Sequence, residues 1–105
     1  MTTMVLTQTL EVETGDLTLF RAAVTQHAET TRLREPACLR FDVSFSEDRP
    51  SVCLVYAIFD SSDALDLHMQ SDHHNLFTEL TKMWVSSRLE QVWELAASPR
   101  RAGTA

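Results

Sequence analysis

The chain has 105 residues, 44% hydrophobic and 23% charged, a balance that fits one globular domain and excludes a disordered or low-complexity chain. Fifteen acidic against nine basic residues leave a net charge of -6 and a pI near 5.0, which argues against nucleic acid and against an anionic membrane surface as partners. With only two glycines, Gly15 and Gly103, neither a Walker A loop nor a dinucleotide-binding fingerprint can be written.

Residues 2–12 mix β-branched and apolar residues with Thr and Gln and read as a first strand. Glu13, Thr14, Gly15 and Asp16 make a turn in which Asp16 can cap a helix. From Leu17 the apolar positions step through Phe20, Val24, His27 or Ala28 and Thr31, an amphipathic helix that ends near Arg34 and is stopped by Pro36. Residues 38–46 alternate, with Leu39, Phe41, Val43 and Phe45 on one face and Arg40, Asp42 and Ser44 on the other. Glu47, Asp48, Arg49 and Pro50 turn the chain into an almost wholly apolar strand over 51–59. Within it Val52 to Phe59 is the longest apolar stretch, far below the ~20 residues needed to span a bilayer.

Asp60, Ser61, Ser62 and Asp63 start a helix continued by Ala64, Leu65, Leu67 and His68. Ser71 and Asp72 supply a second cap, after which Leu76, Phe77, Leu80, Met83 and Trp84 are expected on one buried side. Residues 88–95 read as the last strand, with Leu89, Gln91, Trp93 and Leu95 sharing a face; both tryptophans are expected in the core. Residues 96–105 are small and polar and read as a loose tail. The amino terminus has no basic region and no long apolar run, so no signal peptide is expected and the cytoplasm is the default compartment.

The order β-α-β-β-α-β is the split βαβ arrangement: one ferredoxin-like α+β domain over residues 1–95, with an antiparallel sheet and helices on one face. The other face, expected to carry Val55 and Phe59, then needs a cover, and a second copy of the chain supplies it as a homodimer. Cys38 and Cys53 lack metal-ligand spacing. A hairpin turning at 47–50 places Cys38 opposite Phe59, so Cys53 is about six residues or ~20 Å away along the strand, and two reduced, buried thiols are expected.

The run Glu35-Pro36-Ala37-Cys38-Leu39-Arg40-Phe41-Asp42-Val43 is followed by Val55-Tyr56-Ala57-Ile58-Phe59-Asp60, Ala64-Leu65-Asp66-Leu67-His68 and Ser71-Asp72-His73. Together these resemble the antibiotic biosynthesis monooxygenase family, which shows Glu-Pro-Gly-Cys before a strand, a Tyr-Glu strand, an Ala-rich helix ending in His and a further His five residues on. The resemblance spans roughly residues 2–95 and implies a dimeric α+β barrel. It also implies a monooxygenase that deprotonates a small aromatic or quinol-like substrate, whose anion reduces oxygen with no cofactor. His68 and His73 are then the catalytic pair, imidazoles suited to orienting or deprotonating a phenol or enol near neutral pH.

Tyr56 and Asp42 are the substrate-binding candidates beside them; core packing for Tyr56 and an ion pair with Arg40 for Asp42 are their plainer roles. Two departures stand out: Ala37 replaces the family's Gly, and Ala57 stands where many relatives carry a Glu. The Arg40-Phe41-Asp42-Val43 run is also similar to the subgroup that processes phosphorylated autoinducer-2, which implies an isomerase as the alternative; a non-catalytic dimeric binding domain is the third. His68, His73 and His74, with Asp66 or Asp72, offer metal ligands. Their spacing is not the i, i+4 pair of a helical zinc site, and a cap intervenes, so no metal is expected. His74 is expected to face water, and His27 to border the apolar stripe of its helix.

Overall fold

Strand and helix signals resolve, among the described residues, into β1 (Met4–Val12), α1 (Leu17–Arg34), β2 (Cys38–Phe45), β3 (Val52–Phe59), α2 (Ser62–Met69), α3 (Asp72–Thr81) and β4 (Val85–Glu94), with a 3-10 turn at Thr14–Asp16. This computed structural model describes residues 2–99; the rest of the expected tail, residues 100–105, lies outside the described residues. Two serine caps explain why residues 62–81 form two short helices instead of one. Ser61 Oγ accepts from the Ala64 amide at 3.1 Å, and Ser71 Oγ from the His74 amide at 3.3 Å. Asp16 occupies the N-cap of α1 but makes no side-chain cap bond. At the other end Glu35 leaves the helical region, with φ -119° and ψ 90°, as a residue before proline must.

The sheet order is β2-β3-β1-β4 and every pairing is antiparallel, the α+β ferredoxin-like arrangement. Its helix-facing side carries Leu6 and Leu10 of β1, Phe41 of β2, and Cys53, Val55, Ala57 and Phe59 of β3. Phe20 and Val24 of α1, Leu65 of α2 and Phe77 of α3 close over them. The Phe20 ring meets Phe45 edge-on, with centroids 6.4 Å apart, and tilts against Phe77 at 6.2 Å. Each such fully buried side chain contributes roughly 1.5–3 kcal/mol, which fixes the helices on this face and not the other.

Several sequence expectations need correction. Val55 and Phe59 face the helices, and it is Leu54, Tyr56 and Ile58 that lie on the open face. A strand apolar on both sides has no alternation to set its phase. Leu39 is exposed because the β2–β3 register slips between Cys38 and Arg40, so Cys38 takes the buried place expected for Leu39. In α3 the buried residues are His74, Phe77 and Thr81, whereas Leu76, Leu80 and, beyond the helix, Met83 are exposed. Trp84 is partly buried against the core, but Trp93 is half exposed on the open face, where its indole N–H donates to Thr7 Oγ1 at 2.8 Å. Strand β4 begins at Val85, three residues earlier than expected, and Leu89, Gln91 and Trp93 do share a face. Cys38 lies opposite Phe59 and Cys53 opposite Phe45, and both thiols are buried and unbonded to each other.

The helix layer stops short of β4. That strand pairs with β1, yet Arg88, Glu90 and Val92 on its helix-facing side are exposed, as are Leu89 and Trp93 behind them. No helix among the described residues is long and apolar enough to cross a membrane.

Candidate functional site

All four histidines of the chain come together where the three helices meet. His27 follows Val24 on the buried stripe of α1, His68 lies near the end of α2 on the face of Ala64 and Leu65, and His73 and His74 open α3 just past the Ser71 cap. Ring centroids of His68 and His74 are 5.0 Å apart; His27 is 5.7 Å from His68 and 5.9 Å from His74. Aromatic rings wall the cluster: Phe77 stacks on His27 at 4.4 Å, Phe41 meets it edge-on at 5.4 Å, and Phe59 lies 5.0 Å from His68.

The hub of one side is Glu35. Its Oε2 accepts from His68 Nδ1–H at 2.8 Å and from His73 Nε2–H in a second, short contact. Glu35 reaches them because the helix ends under it before Pro36, which turns its carboxylate inward from the last turn of α1. With Nδ1–H committed to Glu35, the His68 ring presents Nε2 as a bare acceptor. Ser71 braces the same corner, donating to the His68 carbonyl at 2.7 Å.

Burial controls the charge of these rings. It pushes the His27 pKa down to about 3, and the neighbouring His68, His74 and His73 add to the shift. His74 falls to about 4, chiefly by burial and then by His68 and Arg88. His68 is also lowered, because burial outweighs the opposing pull of Glu35 and, from β4, of Glu90. The interior rings are therefore neutral at pH 7. His73 is the outermost of the four, its side chain 11% exposed. Together with His27 it lines a cleft of about 330 Å³ between α1 and α3, bounded by Gln26, Arg34, Asp72 and Leu80.

Of the four residues singled out from the sequence, the structure brings His68 and His73 together through Glu35 and separates the other two from them. Tyr56 and Asp42 lie on the open face of the sheet, with β3 backbone between them and the histidines; the expectation that Tyr56 adjoins the pair is corrected. The strand phase again explains this, since Ala57 and not Tyr56 points at the helices. Asp42 pairs with Arg40 on the surface, so the two charged residues of the Arg40-Phe41-Asp42-Val43 run lie away from the cluster that Phe41 walls. Tyr56 instead lines a separate hollow with Val5, Thr7 and Trp93. His74 is buried, contrary to expectation, because the Ser71 cap starts α3 with that ring turned inward.

Sequence reasoning missed Glu35, His27 and His74 as members of the site. The signal for His27 was present: a ligand-capable ring at a position the helical period assigns to the core. Glu35 stood inside the quoted Glu-Pro motif, but nothing in the sequence says that a helix end aims it at two rings 33 and 38 residues on.

A family model for antibiotic biosynthesis monooxygenases matches residues 3–80. The chain belongs to this family. No functionally curated protein matches the sequence. Among solved structures, a Deinococcus radiodurans protein provisionally named an antibiotic biosynthesis monooxygenase superposes with a TM-score of 0.86 at 20% identity, over 95% of this chain and 99% of the other. A Nitrosomonas europaea protein with the same provisional name gives 0.83 at 21% identity, over 90% of each chain. A third, from Caulobacter crescentus, gives 0.86 at 18% identity, over 91% of this chain and 92% of its own. These likenesses establish the fold. Against the family pattern, Ala57 is fully buried opposite Leu6 and Phe41, so no carboxylate enters the site from β3.

Proposed function

We propose that this antibiotic biosynthesis monooxygenase family member oxidises a small electron-rich phenol or quinol-like substrate, with His73 as the base and Glu35 as its partner. The observation that carries the reading is one carboxylate oxygen held by both His68 and His73 next to an open cleft. With Nε2–H donated to Glu35, His73 keeps Nδ1 to take the substrate's hydroxyl proton. The carboxylate stabilises the imidazolium so formed, and His68 fixes the carboxylate from its other side. Phe77 and Leu80 line the cleft, and orientation of the bound ring supplies the selectivity.

The chemistry asks for no redox cofactor, because the substrate anion is itself the reductant. Attack on O2 forms a carbon–oxygen bond. Loss of two substrate hydrogens with the distal oxygen then yields a quinone carbonyl and water, the imidazolium returning its proton to the departing oxygen. A homodimer across the open sheet face accompanies this reading, since Leu54, Tyr56, Ile58, Leu89 and Trp93 together form an apolar surface.

The experiment is oxygen uptake by chelator-treated, flavin-free protein on a panel of naphthols and hydroquinones, with ¹⁸O2 labelling of the product. One labelled atom in the quinone is expected, and His73→Ala should lower turnover by ~10²-fold or more with the fold intact. Label confined to hydrogen peroxide, or full turnover in His73→Ala, refutes the proposal.

A further inference from the structure

The nitrogens that proton transfer leaves unused point to a second property. We infer that His27, His68 and His74 form a binding site for one divalent transition-metal ion of the zinc class, clamping α1, α2 and α3 to one another. Each helix contributes one imidazole, and one ligand atom from each ring lies within 4.8 Å of the other two. A tetrahedral ion with nitrogen ligands at ~2.0–2.1 Å sets those atoms about 3.3 Å apart, so the three nitrogens need draw together by no more than about 1.5 Å.

Three further observations favour an ion over simple packing. The residues are only 5%, 1% and 7% exposed, and His27 Nδ1, His68 Nε2 and His74 Nδ1 are each buried with no hydrogen-bond partner among the described residues. Buried polar atoms are nearly always satisfied, and three orphans of one ligand type in one cluster call for a shared partner. Next, the Glu35 carboxylate accepts from His68 Nδ1–H at 2.8 Å, leaving the buried Nε2 as a bare acceptor for an ion. A carboxylate behind a ligating histidine is the usual outer support of a metal site. Finally, the donor set is three imidazoles with no thiolate, which suits zinc, cobalt or nickel and not magnesium or calcium.

The neighbouring trio of Glu35, His68 and His73 is a poorer candidate, because its facing atoms already satisfy one another by hydrogen bonds. Spacing along the chain does not show this site, because His73 belongs to Glu35 and His27 comes from another helix. A bound ion occupies the side of His68 away from Glu35, so the site is independent of the base assignment and neither stands or falls with the other.

The test uses the untagged full chain, stripped with chelator and dialysed. Titration with Zn²⁺ followed by calorimetry should show one equivalent bound at micromolar affinity or tighter. Co²⁺ should give the visible absorption of a low-coordinate nitrogen site, and Mg²⁺ should not compete. His74→Phe and His27→Phe should each weaken binding by at least 100-fold, whereas His73→Ala should keep the equivalent. Should either Phe variant fail to fold, ¹⁵N spectra of the wild-type histidines replace it: Zn²⁺ should move the ring nitrogens of His27, His68 and His74 together. Absence of a bound equivalent in folded wild-type protein, undiminished binding in folded His74→Phe, or shifts confined to His73 would each overturn the inference. None of these readouts uses turnover, so they separate the metal site from the oxygenase reading.

Discussion

Replacing Glu35 by Gln interrogates the centre of the site with almost no change of volume. In the native protein one carboxylate oxygen accepts from both His68 and His73. An amide can place its one carbonyl oxygen where Oε2 lies, with the N–H2 at the position of Oε1, but that oxygen is neutral, so both bonds lose their charge assistance. A hydrogen bond to a charged group is worth about 1.5–3 kcal/mol, and Glu35, whose side chain is only 16% exposed, can recover part of that from water. A net cost of about 2 kcal/mol corresponds to a fall of ~8–16 °C in Tm for a domain of this size. The tautomer should respond as well. With Glu35 in place His68 carries its proton on Nδ1; in Glu35→Gln long-range ¹H–¹⁵N spectra should show that preference weakened. Removing the carboxylate also removes the pull that opposes burial at His68, so its already lowered pKa should fall further. Turnover on a hydroquinone probe should drop by ~10²-fold or more, since the imidazolium at His73 is left without its counter-charge. A Tm within 2 °C of wild type, with His68 protonated on Nε2 in the native protein, would refute the reasoning whatever the activity.

Two further outcomes follow from the core and from the open face. Burial raises the Cys38 thiol to about 11 and the Cys53 thiol to about 12, against 9.0 when exposed. The folded chain therefore holds these protons where the unfolded chain releases them, so their contribution is complete below pH 9 and declines as pH climbs toward 11–12, by up to ~1.4 kcal/mol per unit per thiol. Urea melts between pH 8 and 10.5 should fall more steeply for wild type than for Cys38→Ala/Cys53→Ala; equal slopes would contradict the assignment. On the open face, Leu89→Asp combined with Trp93→Asp should convert a species of about 24 kDa by light scattering into one near the 11.9 kDa of the single chain. A wild-type mass near 12 kDa at micromolar concentration would end the dimer proposal instead.

The elements were readable because local chemistry and tertiary placement agree in most of them. Phe20, Val24, His27 and Thr31 recur at helical spacing and all four are buried, and the serines at 61 and 71 cap the helices they precede. Reading failed where local chemistry is silent. The strand over 52–59 is apolar on both sides, so nothing within it says that Val55 and not Tyr56 meets the helices. In α3, Leu76 and Leu80 outweigh Thr81 on any hydropathy scale, yet Thr81 is buried because its hydroxyl donates to the Phe77 carbonyl at 2.8 Å. A polar side chain that returns its hydrogen bond to its own helix costs little to bury, and the leucines are left outside. The register slip at Leu39 is likewise set by the pairing partner and not by the strand itself.

The absence of a carboxylate at Ala57 need not silence the site, because the fold delivers acidic groups from two other directions. Glu35 arrives from the end of α1 and is bonded to two rings, a placement that depends on Pro36 ending the helix one residue later. Glu90 arrives from β4, where it accepts from the buried Gln8 at 3.4 Å, and its charge raises the His68 pKa against the pull of burial. The two differ in setting. Glu35 is enclosed by helices and fixed by two hydrogen bonds, whereas Glu90 stands on a strand whose helix-facing side has no layer over it. A carboxylate in the first setting keeps its geometry and acts strongly on what it touches; one in the second is screened by water and acts weakly. The proposed proton transfer is therefore assigned to Glu35 and His73, while Ala57 leaves only a methyl group opposite Phe41.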